Sequence, residues 1–354
     1  MISGTSPVNA VIGWDLGGAH LKAALSERPG QLTGVLQIPC PLWRGLDVLD
    51  RAIGSVLNTW PQDARHIVTM TGELADLFPD RATGVKALVD HMLKRLPIDS
   101  ISVFAGRVGL ISAADTLRHL ELIASANWLA TATCVASCLE QGLLVDIGST
   151  TTDIIPVKGG QVLTISATDA DRLARDELVY TGVVRTPVCA VTGRAPFRGE
   201  WQHLAAEFFS SMADIYRLLG VLPKGADQME TPDGRGKNWT DSMHRLARML
   251  GRDATLSEQA EWRLVAAYIA RRQLNKIQDA MDRVLSGNQL DRTAPLIGAG
   301  VGRFLVRRLA GMMERPYADF GSLRRIPPEL ADVAANCAPA VALALIANLQ
   351  NVGY

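Results

Sequence analysis

Val145-Asp146-Ile147-Gly148-Ser149-Thr150-Thr151-Thr152-Asp153-Ile154-Ile155 opens the second half of the chain, and its reading decides the fold. Leu143 to Val145 is apolar and β-prone, Asp146-Ile147-Gly148-Ser149 is a tight turn, and Thr152 to Val157 is β-prone again. Lys158-Gly159-Gly160 then turns the chain into a third strand, Gln161 to Ile165. The same order stands at the start of the chain: Ala10 to Trp14, the turn Asp15-Leu16-Gly17-Gly18, Leu21 to Leu25, a break at Arg28-Pro29-Gly30, and Leu32 to Ile38. Asp15 falls opposite Asp146, Leu16 opposite Ile147, Gly17 opposite Gly148 and Gly18 opposite Ser149. An internal echo at about half the chain length predicts two related lobes, each opening with a hairpin and a third strand.

Strand and helix alternate around these hairpins. Gly45 to Thr59 reads as a helix, His66 to Met70 as a strand followed by Thr71-Gly72-Glu73, and Thr83 to Leu96 as a helix. Ile101 to Phe104 reads as a strand, and Asn127 to Glu140 as a helix leading into the second lobe. The alternation argues α/β with a largely parallel sheet. Thr181 to Arg198 is irregular, with Gly182, Arg185, Pro187, Gly193 and Pro196. Helices are expected over His203 to Leu219, Asp241 to Leu250 and Ser257 to Leu285. Between them Pro223 to Asn238, with Asp233-Gly234-Arg235-Gly236-Lys237-Asn238, reads as a mobile loop. A strand from Ala294 to Ile297 leads through Gly298-Ala299-Gly300 into a helix from Val301 to Met313, and a last apolar helix runs from Pro339 to Leu349. The expected first lobe is therefore 1–128 with a C-terminal helix at about 325–354, and the second 129–324 with a helical insertion at about 200–290.

Of 354 residues, 48% are hydrophobic and 20% charged, a balance that allows a sizeable buried core. Lys plus Arg equals Asp plus Glu at 36 each, so no basic excess points to a nucleic-acid partner. Residues 1–13 hold no Lys or Arg, which argues against a signal peptide, and the longest apolar run, Cys337 to Leu349, is short for a bilayer span. The expectation is a cytoplasmic protein with no membrane partner. Cys40, Cys134, Cys138, Cys189 and Cys337 are odd in number and sparse, which reads as reduced, apolar side chains rather than a disulfide framework.

A phosphate group needs backbone N–H donors at close range and no obstructing side chain, and glycine after a strand supplies both. The two D-x-G turns fit that need: Gly17 and Gly18 in the first, and Gly148 in the second, where the hydroxyls of Ser149, Thr150 and Thr151 add donors. Asp15 and Asp146 are candidate ligands for a Mg²⁺ that bridges phosphate oxygens. Lys22 and Asp153 stand at matching distances beyond the two aspartates, one positive and one negative. Gly298-Ala299-Gly300 joins a strand to a helix, whose N-terminus also favours anions. A lone D-x-G is an ordinary turn; two in equivalent hairpins point to a shared ligand.

Two D-x-G hairpins followed by a G-x-G turn before a helix resemble the acetate and sugar kinase, Hsp70 and actin superfamily. Within it, Val145 to Ile155 is similar to the hydantoinase/oxoprolinase family. Trp14 to Lys22, Met70 to Asp76, Ser125 to Ala130 and Tyr180 to Val188 resemble its methanofuran-type branch. The resemblance implies a two-lobed actin-like ATPase (ribonuclease H-like) fold with duplicated lobes and a central cleft. It makes the first two turns phosphate loops and the third the counterpart of an adenosine loop. It also implies a transferase of methanofuran or methylofuran biosynthesis, serving tetrahydromethanopterin-linked one-carbon metabolism. Such an enzyme joins an aminomethylfuran-methyl pyrophosphate to the phenol of γ-glutamyltyramine and releases pyrophosphate. The implied partners are small molecules, a phosphorylated furan and a phenolic amine; a homodimer is compatible, Mg²⁺ is the implied metal, and ATP is compatible but not required.

That chemistry asks for stabilisation of departing pyrophosphate, a held phenol and a base for its proton. The candidate bases are His20, Asp153 and Glu73; His20 could instead donate to a phosphate oxygen or be a surface or packing histidine, and Glu73 could equally cap a helix. Arg185 is a candidate for a phosphate or the glutamyl carboxylate, or else a surface ion pair. Asn127 and Trp128 are candidates to line the cleft, with Trp128 equally readable as core. The first turn carries Gly18-Ala19 where sugar kinases carry Thr or Ser, which suits a use other than ATP phosphoryl transfer. The competing readings are an ATP-dependent kinase or hydantoinase-type hydrolase, and a non-catalytic nucleotide-binding assembly protein.

Overall fold

The first sheet is organised by β1 (Val11–Leu16), in which all six residues are buried. A strand covered on both faces takes an interior place in its sheet. β2 (His20–Arg28) returns antiparallel along one side of β1, and β3 (Gln31–Pro39) pairs antiparallel with β2. β4 (Arg65–Met70) lies parallel to β1 on the other side. β5 (Ile101–Phe104) is parallel to β4, and β6 (Leu110–Ser112) closes the row antiparallel. The order is β3-β2-β1-β4-β5-β6. The computed structural model describes residues 10–28, 30–287, 290–323 and 326–347.

Helices α1 (Asp47–Leu57), α2 (Arg81–Leu93), α3 (Leu120–Ile123) and α4 (Asn127–Cys138) follow the pattern set by their apolar spacing. In α1, Leu49, Ile53 and Val56 recur at helical intervals and are buried together. α2 begins where the Asp80 carboxylate accepts from the Thr83 amide at 2.7 Å, an N-cap that satisfies one of the helix's unpaired donors.

The second sheet repeats the plan. β7 (Gln141–Ile147) is followed by β8 (Thr152–Lys158) and a short β9 (Gln161–Val162) that pairs with β8. After α5 (Asp169–Ala174), β10 (Leu178–Val179) adds antiparallel to β8. β11 (Arg194–Phe197) and β12 (Glu200–His203) form a separate hairpin, and the helices α6 (Met212–Leu218), α7 (Trp239–Met249) and α8 (Gln259–Gly287) come next. β13 (Leu296–Ala299) lies parallel to β7; α9 (Arg303–Met312) and β14 (Tyr317–Asp319) complete the order β10-β8-β7-β13-β14. α10 (Ala331–Asn336) and α11 (Ala338–Ile346) end the described chain. Thus β1 between β2 and β4 has its counterpart in β7 between β8 and β13. The duplicated α/β architecture expected from the echo is present.

The chain divides into two compact units. The first takes residues up to Gly142, Val157–Ala167 and the chain from Asp319; the second takes Leu143–Pro156 and Thr168–Ala318. Each unit has its own core. One is built around Ile12, Trp14, Leu16, Val68 and Val103, the other around Val145, Ile147, Met243, Trp262 and Leu309.

Four expectations are corrected. The first sheet is mixed: among its pairs only β1–β4 and β4–β5 are parallel, because the opening hairpin and β6 run antiparallel. His203 to Leu219 is not one helix; His203 ends β12, and the helix waits until Ser211, whose side chain caps α6 in a capping box with Asp214. The third strand after β8 stops at Val162, and Ile165 is 73% exposed. The Pro223 to Asn238 segment is tied down rather than loose. Arg245, fully buried, donates to Asp214 at 2.7 Å and to Asp233 of the segment at 3.1 Å, while Arg217 holds Asp227 at 2.5 Å. The expected run of the last helix to Leu349 lies outside the described residues, as does Pro29. Among the described residues no single helix is long and apolar enough to cross a membrane; α10 and α11 reach that length only as a pair bent by 116°, and α11 is buried from end to end.

Candidate active site

In the first unit the turn between β1 and β2 is closed by its own backbone. The Gly17 amide donates to the carbonyls of His20 at 3.0 Å and Asp15 at 3.1 Å. That N–H is therefore spent on shaping the turn. The amides of Gly18 and Ala19 have no acceptor among the described residues, while their carbonyls receive the amides of Leu42 and Cys40. Asp15 is buried and pairs across the sheet with Lys22 of β2, whose ammonium is 3.6 Å away. Burial pushes the Asp15 carboxyl up, and Lys22 offsets part of that rise. Asp15 Oδ1 is buried without a hydrogen-bond partner among the described residues.

The end of β4 stands beside this turn, since Leu16 pairs with Met70 and the Thr71 amide donates to the Leu16 carbonyl at 3.1 Å. That places Thr71-Gly72-Glu73 next to Gly17. Glu73 is buried; its Oε1 accepts from the Ser125 hydroxyl at 2.8 Å, and its Oε2 has no partner among the described residues. Burial raises its proton affinity, with the Ser125 bond acting the other way. Ser125 holds a left-handed backbone, φ 53°, to reach it. His20 begins β2 and is buried. Asn127 starts α4, where its side-chain oxygen accepts from the Trp128 amide at 2.8 Å, and Trp128 is buried.

In the second unit the turn between β7 and β8 closes in the same way: the Gly148 amide donates to the Thr151 carbonyl at 2.9 Å. The amides of Ser149, Thr150 and Thr151 are left without acceptors among the described residues, and the hydroxyls of Ser149 and Thr150 lie 3.3 Å apart. Three backbones crowd behind this turn. A Cβ on Gly182 would come within 2.4 Å of the Thr150 nitrogen and 2.5 Å of the Ser149 carbonyl carbon. The amides of Val184 and Arg185 donate to the Ser149 carbonyl at 3.1 and 2.8 Å. On the other side Gly300, at φ 76°, sits so close that a Cβ would be 2.3 Å from the Ile147 oxygen and 2.4 Å from Asp146 Oδ1. The Gly302 amide donates to Ile147 at 2.8 Å. Asp146, Gly148 to Thr151, Arg185 and Gly300 are thus brought together. Gly298 meets Tyr317 instead: its Cβ would lie 2.7 Å from the phenol oxygen.

Residues 65–349 match the hydantoinase/oxoprolinase family, a span that contains the end of β4, the second turn and the third glycine turn. The chain belongs to the hydantoinase/oxoprolinase family. Its curated relatives are enzymes. The (4-{4-[2-(gamma-L-glutamylamino)ethyl]phenoxymethyl}furan-2-yl)methanamine synthase of Methanocaldococcus jannaschii is 32% identical over 276 residues, 77% of this chain and 81% of that protein. The synthase of the same name from Methanococcus vannielii is 34% identical over 111 residues, 31% of this chain and 50% of that protein. Among solved structures, a ROK family glucokinase from Streptomyces griseus is 12% identical, with a TM-score of 0.49 over 97% of this chain and all of that one. Component A of the (R)-2-hydroxyglutaryl-CoA dehydratase from Acidaminococcus fermentans is also 12% identical, with a TM-score of 0.47 over 95% of this chain and 96% of that one.

In this family member, Asp153 is held by an ion pair with the buried Arg172, a hydrogen bond inside the second unit. Sequence reasoning passed over the residues that support the turn. Gly182 stands in Tyr180 to Val188, but nothing local says that its missing Cβ admits the Ser149–Thr150 backbone. Gln273, fully buried in α8, donates to Thr181 Oγ1 at 2.7 Å and to the Gly182 carbonyl at 2.8 Å, and accepts from the Tyr216 hydroxyl at 2.5 Å. A buried glutamine within an amphipathic helix was the one signal available.

No group of three or more His, Cys, Asp or Glu side chains among the described residues could hold a metal. The residues fit a magnesium that arrives with phosphate, since that ion keeps several waters and takes only one or two carboxylates plus phosphate oxygens. In the second unit Asp146, beside Gly300, is a carboxylate of that kind.

Proposed function

We propose that this enzyme joins an aminomethylfuran-methyl pyrophosphate to the phenol of γ-glutamyltyramine, making the phenoxymethyl link of the product named in its relatives, and releases pyrophosphate. The observation that supports this most is the second turn, where three consecutive amides are left without acceptors among the described residues, beside the Ser149, Thr150 and Thr151 hydroxyls, on a backbone packed against Gly182 and Gly300. Donors fixed in advance are worth most where charge develops, and here charge develops on the leaving pyrophosphate. The phenol oxygen forms the new C–O bond at the furan methylene. The bond from that carbon to pyrophosphate breaks, its electron pair leaves with the phosphate, and the phenol proton passes to a carboxylate or imidazole base. Magnesium, when bound with the pyrophosphate, would neutralise part of its charge, with Asp146 to hold it.

Incubation with the furan-methyl pyrophosphate, γ-glutamyltyramine and Mg²⁺, followed by mass spectrometry, should yield the coupled ether. Asp146→Ala should abolish it while the fold persists by circular dichroism. Magnesium pyrophosphate should raise the Tm more than ATP does. Absence of the ether together with ATP turnover on another substrate would replace this reading by a kinase or hydrolase.

A further inference from the structure

The second unit carries a cavity of about 830 Å³ that the phosphate chemistry leaves unused. It is bounded by α8, α9, the end of α6 and the β11–β12 turn. Its walls are apolar and aromatic: Tyr216, Leu264, Tyr268, Leu274 and Phe304. Tyr216 and Phe304 meet edge to face with ring centres 5.3 Å apart. A volume of this size suits a small organic molecule rather than an ion.

The charges around it are not balanced. Three arginines line the cavity, Arg198, Arg271 and Arg308. Arg198 is paired with Glu258 at 2.5 Å and with Glu261 at 3.8 Å. Arg271 lies over the Tyr268 ring, 5.4 Å from its centre, and neither Arg271 nor Arg308 has an ion-pair partner among the described residues. Two guanidinium groups therefore border an aromatic pocket whose lining carboxylate, Glu261, lies beside Arg198 instead. An arginine pair of this kind recognises a carboxylate with geometric selectivity. The cavity is also tied to the second turn. Its wall residue Tyr216 donates to Gln273, which donates to Gly182, and Gly182 backs directly on Ser149 and Thr150.

We infer that this cavity binds the acceptor substrate, a phenol joined to a γ-linked amino acid, with the ring against Tyr216 and Phe304 and the carboxylate on Arg271 and Arg308. This rests on the transferase reading above and assigns the acceptor a pocket in the same unit as the pyrophosphate turn. Glu261, which lines the cavity beside Arg198, supplies a negative charge for the amino group.

Calorimetric titration of the full chain, without the furan substrate, tests the site apart from turnover. γ-Glutamyltyramine should bind, tyramine should bind more weakly, and the Arg271→Gln/Arg308→Gln variant should lose about tenfold in affinity for the first and keep that for tyramine. Both arginines are exposed, so the variant should fold, which its Tm will show. In turnover, the same variant should raise the KM for γ-glutamyltyramine about tenfold with kcat changed less than about threefold. Wild-type affinity in the variant, equal losses for both ligands, no binding of γ-glutamyltyramine, or an effect confined to ATP would each overturn the proposal. If arginine-dependent binding appears but no ether forms, the transferase reading falls and the pocket stands. If the ether forms with an unchanged KM, the pocket falls and the transferase stands.

Discussion

Gly17 donates to the carbonyl of His20 at 3.0 Å, and Gly148 to that of Thr151 at 2.9 Å, so the two turns close alike. Past that closure they diverge. The first turn offers two free amides, no hydroxyl of its own, and an aspartate that is buried and already faces a lysine. The second offers three free amides and three hydroxyls, on a backbone wedged between Gly182 and Gly300. The first turn instead has an acid beside it, Glu73, kept out of water. The two copies share the backbone closure of the turn, while the side chains around it differ. The second copy presents more unspent donors, on a backbone packed closely against Gly182 and Gly300.

Gly182→Ala should produce the largest effect and would break the comparison if it did not. The added methyl would meet the Thr150 and Ser149 backbone at 2.4 to 2.6 Å, with no flexible side chain to yield. We expect kcat/KM to fall at least about a hundredfold, some 3 kcal/mol of transition-state binding, with secondary structure retained. Ser149→Ala and Thr151→Ala each remove one hydroxyl donor and should cost about tenfold in kcat/KM, read in steady-state assays with the furan pyrophosphate varied.

Glu73→Gln probes the acid beside the first turn through stability. Because burial raises the Glu73 pKa above its ordinary 4.5, the folded state binds the proton more tightly than the unfolded chain does. The wild-type contribution is then complete below 4.5 and is lost as pH rises through the folded value. The glutamine variant should gain about 2–4 °C in Tm near pH 8 and nothing near pH 4. An equal gain at both would show that the carboxyl is not held protonated. Gly18→Ala should do least. A Cβ there meets nothing within 4 Å, so the Tm should stay within about 1 °C, and the KM for the furan pyrophosphate should rise no more than about threefold.

The hairpins were legible because their signals are local. Alternating apolar runs and a glycine at the turn specify β1–β2 and β7–β8 from neighbouring residues alone, and apolar spacing specified α1, α7 and α8 to within two residues. The β11–β12 hairpin was not legible: Trp201 is 54% exposed, and its strand is set by pairing Glu200 to His203 with Arg194 to Phe197. The loop at Asp233 reads as mobile because Gly, Asp and Lys dominate it, yet Arg245, twelve residues on and wholly buried, fixes it in place. The candidate residues of the second turn were legible as a glycine turn between strands that repeats the first, but their buttress was not.

By itself the sequence determined that the chain is built twice over and that each half presents a glycine turn after a strand, since backbone freedom and strand propensity are properties of a few adjacent residues. Only the tertiary structure decided which donors in those turns remain unspent. That depended on Gly182, Gln273 and Gly300 arriving from distant parts of the chain, where a missing methyl or one buried amide settles how closely two backbones can pack.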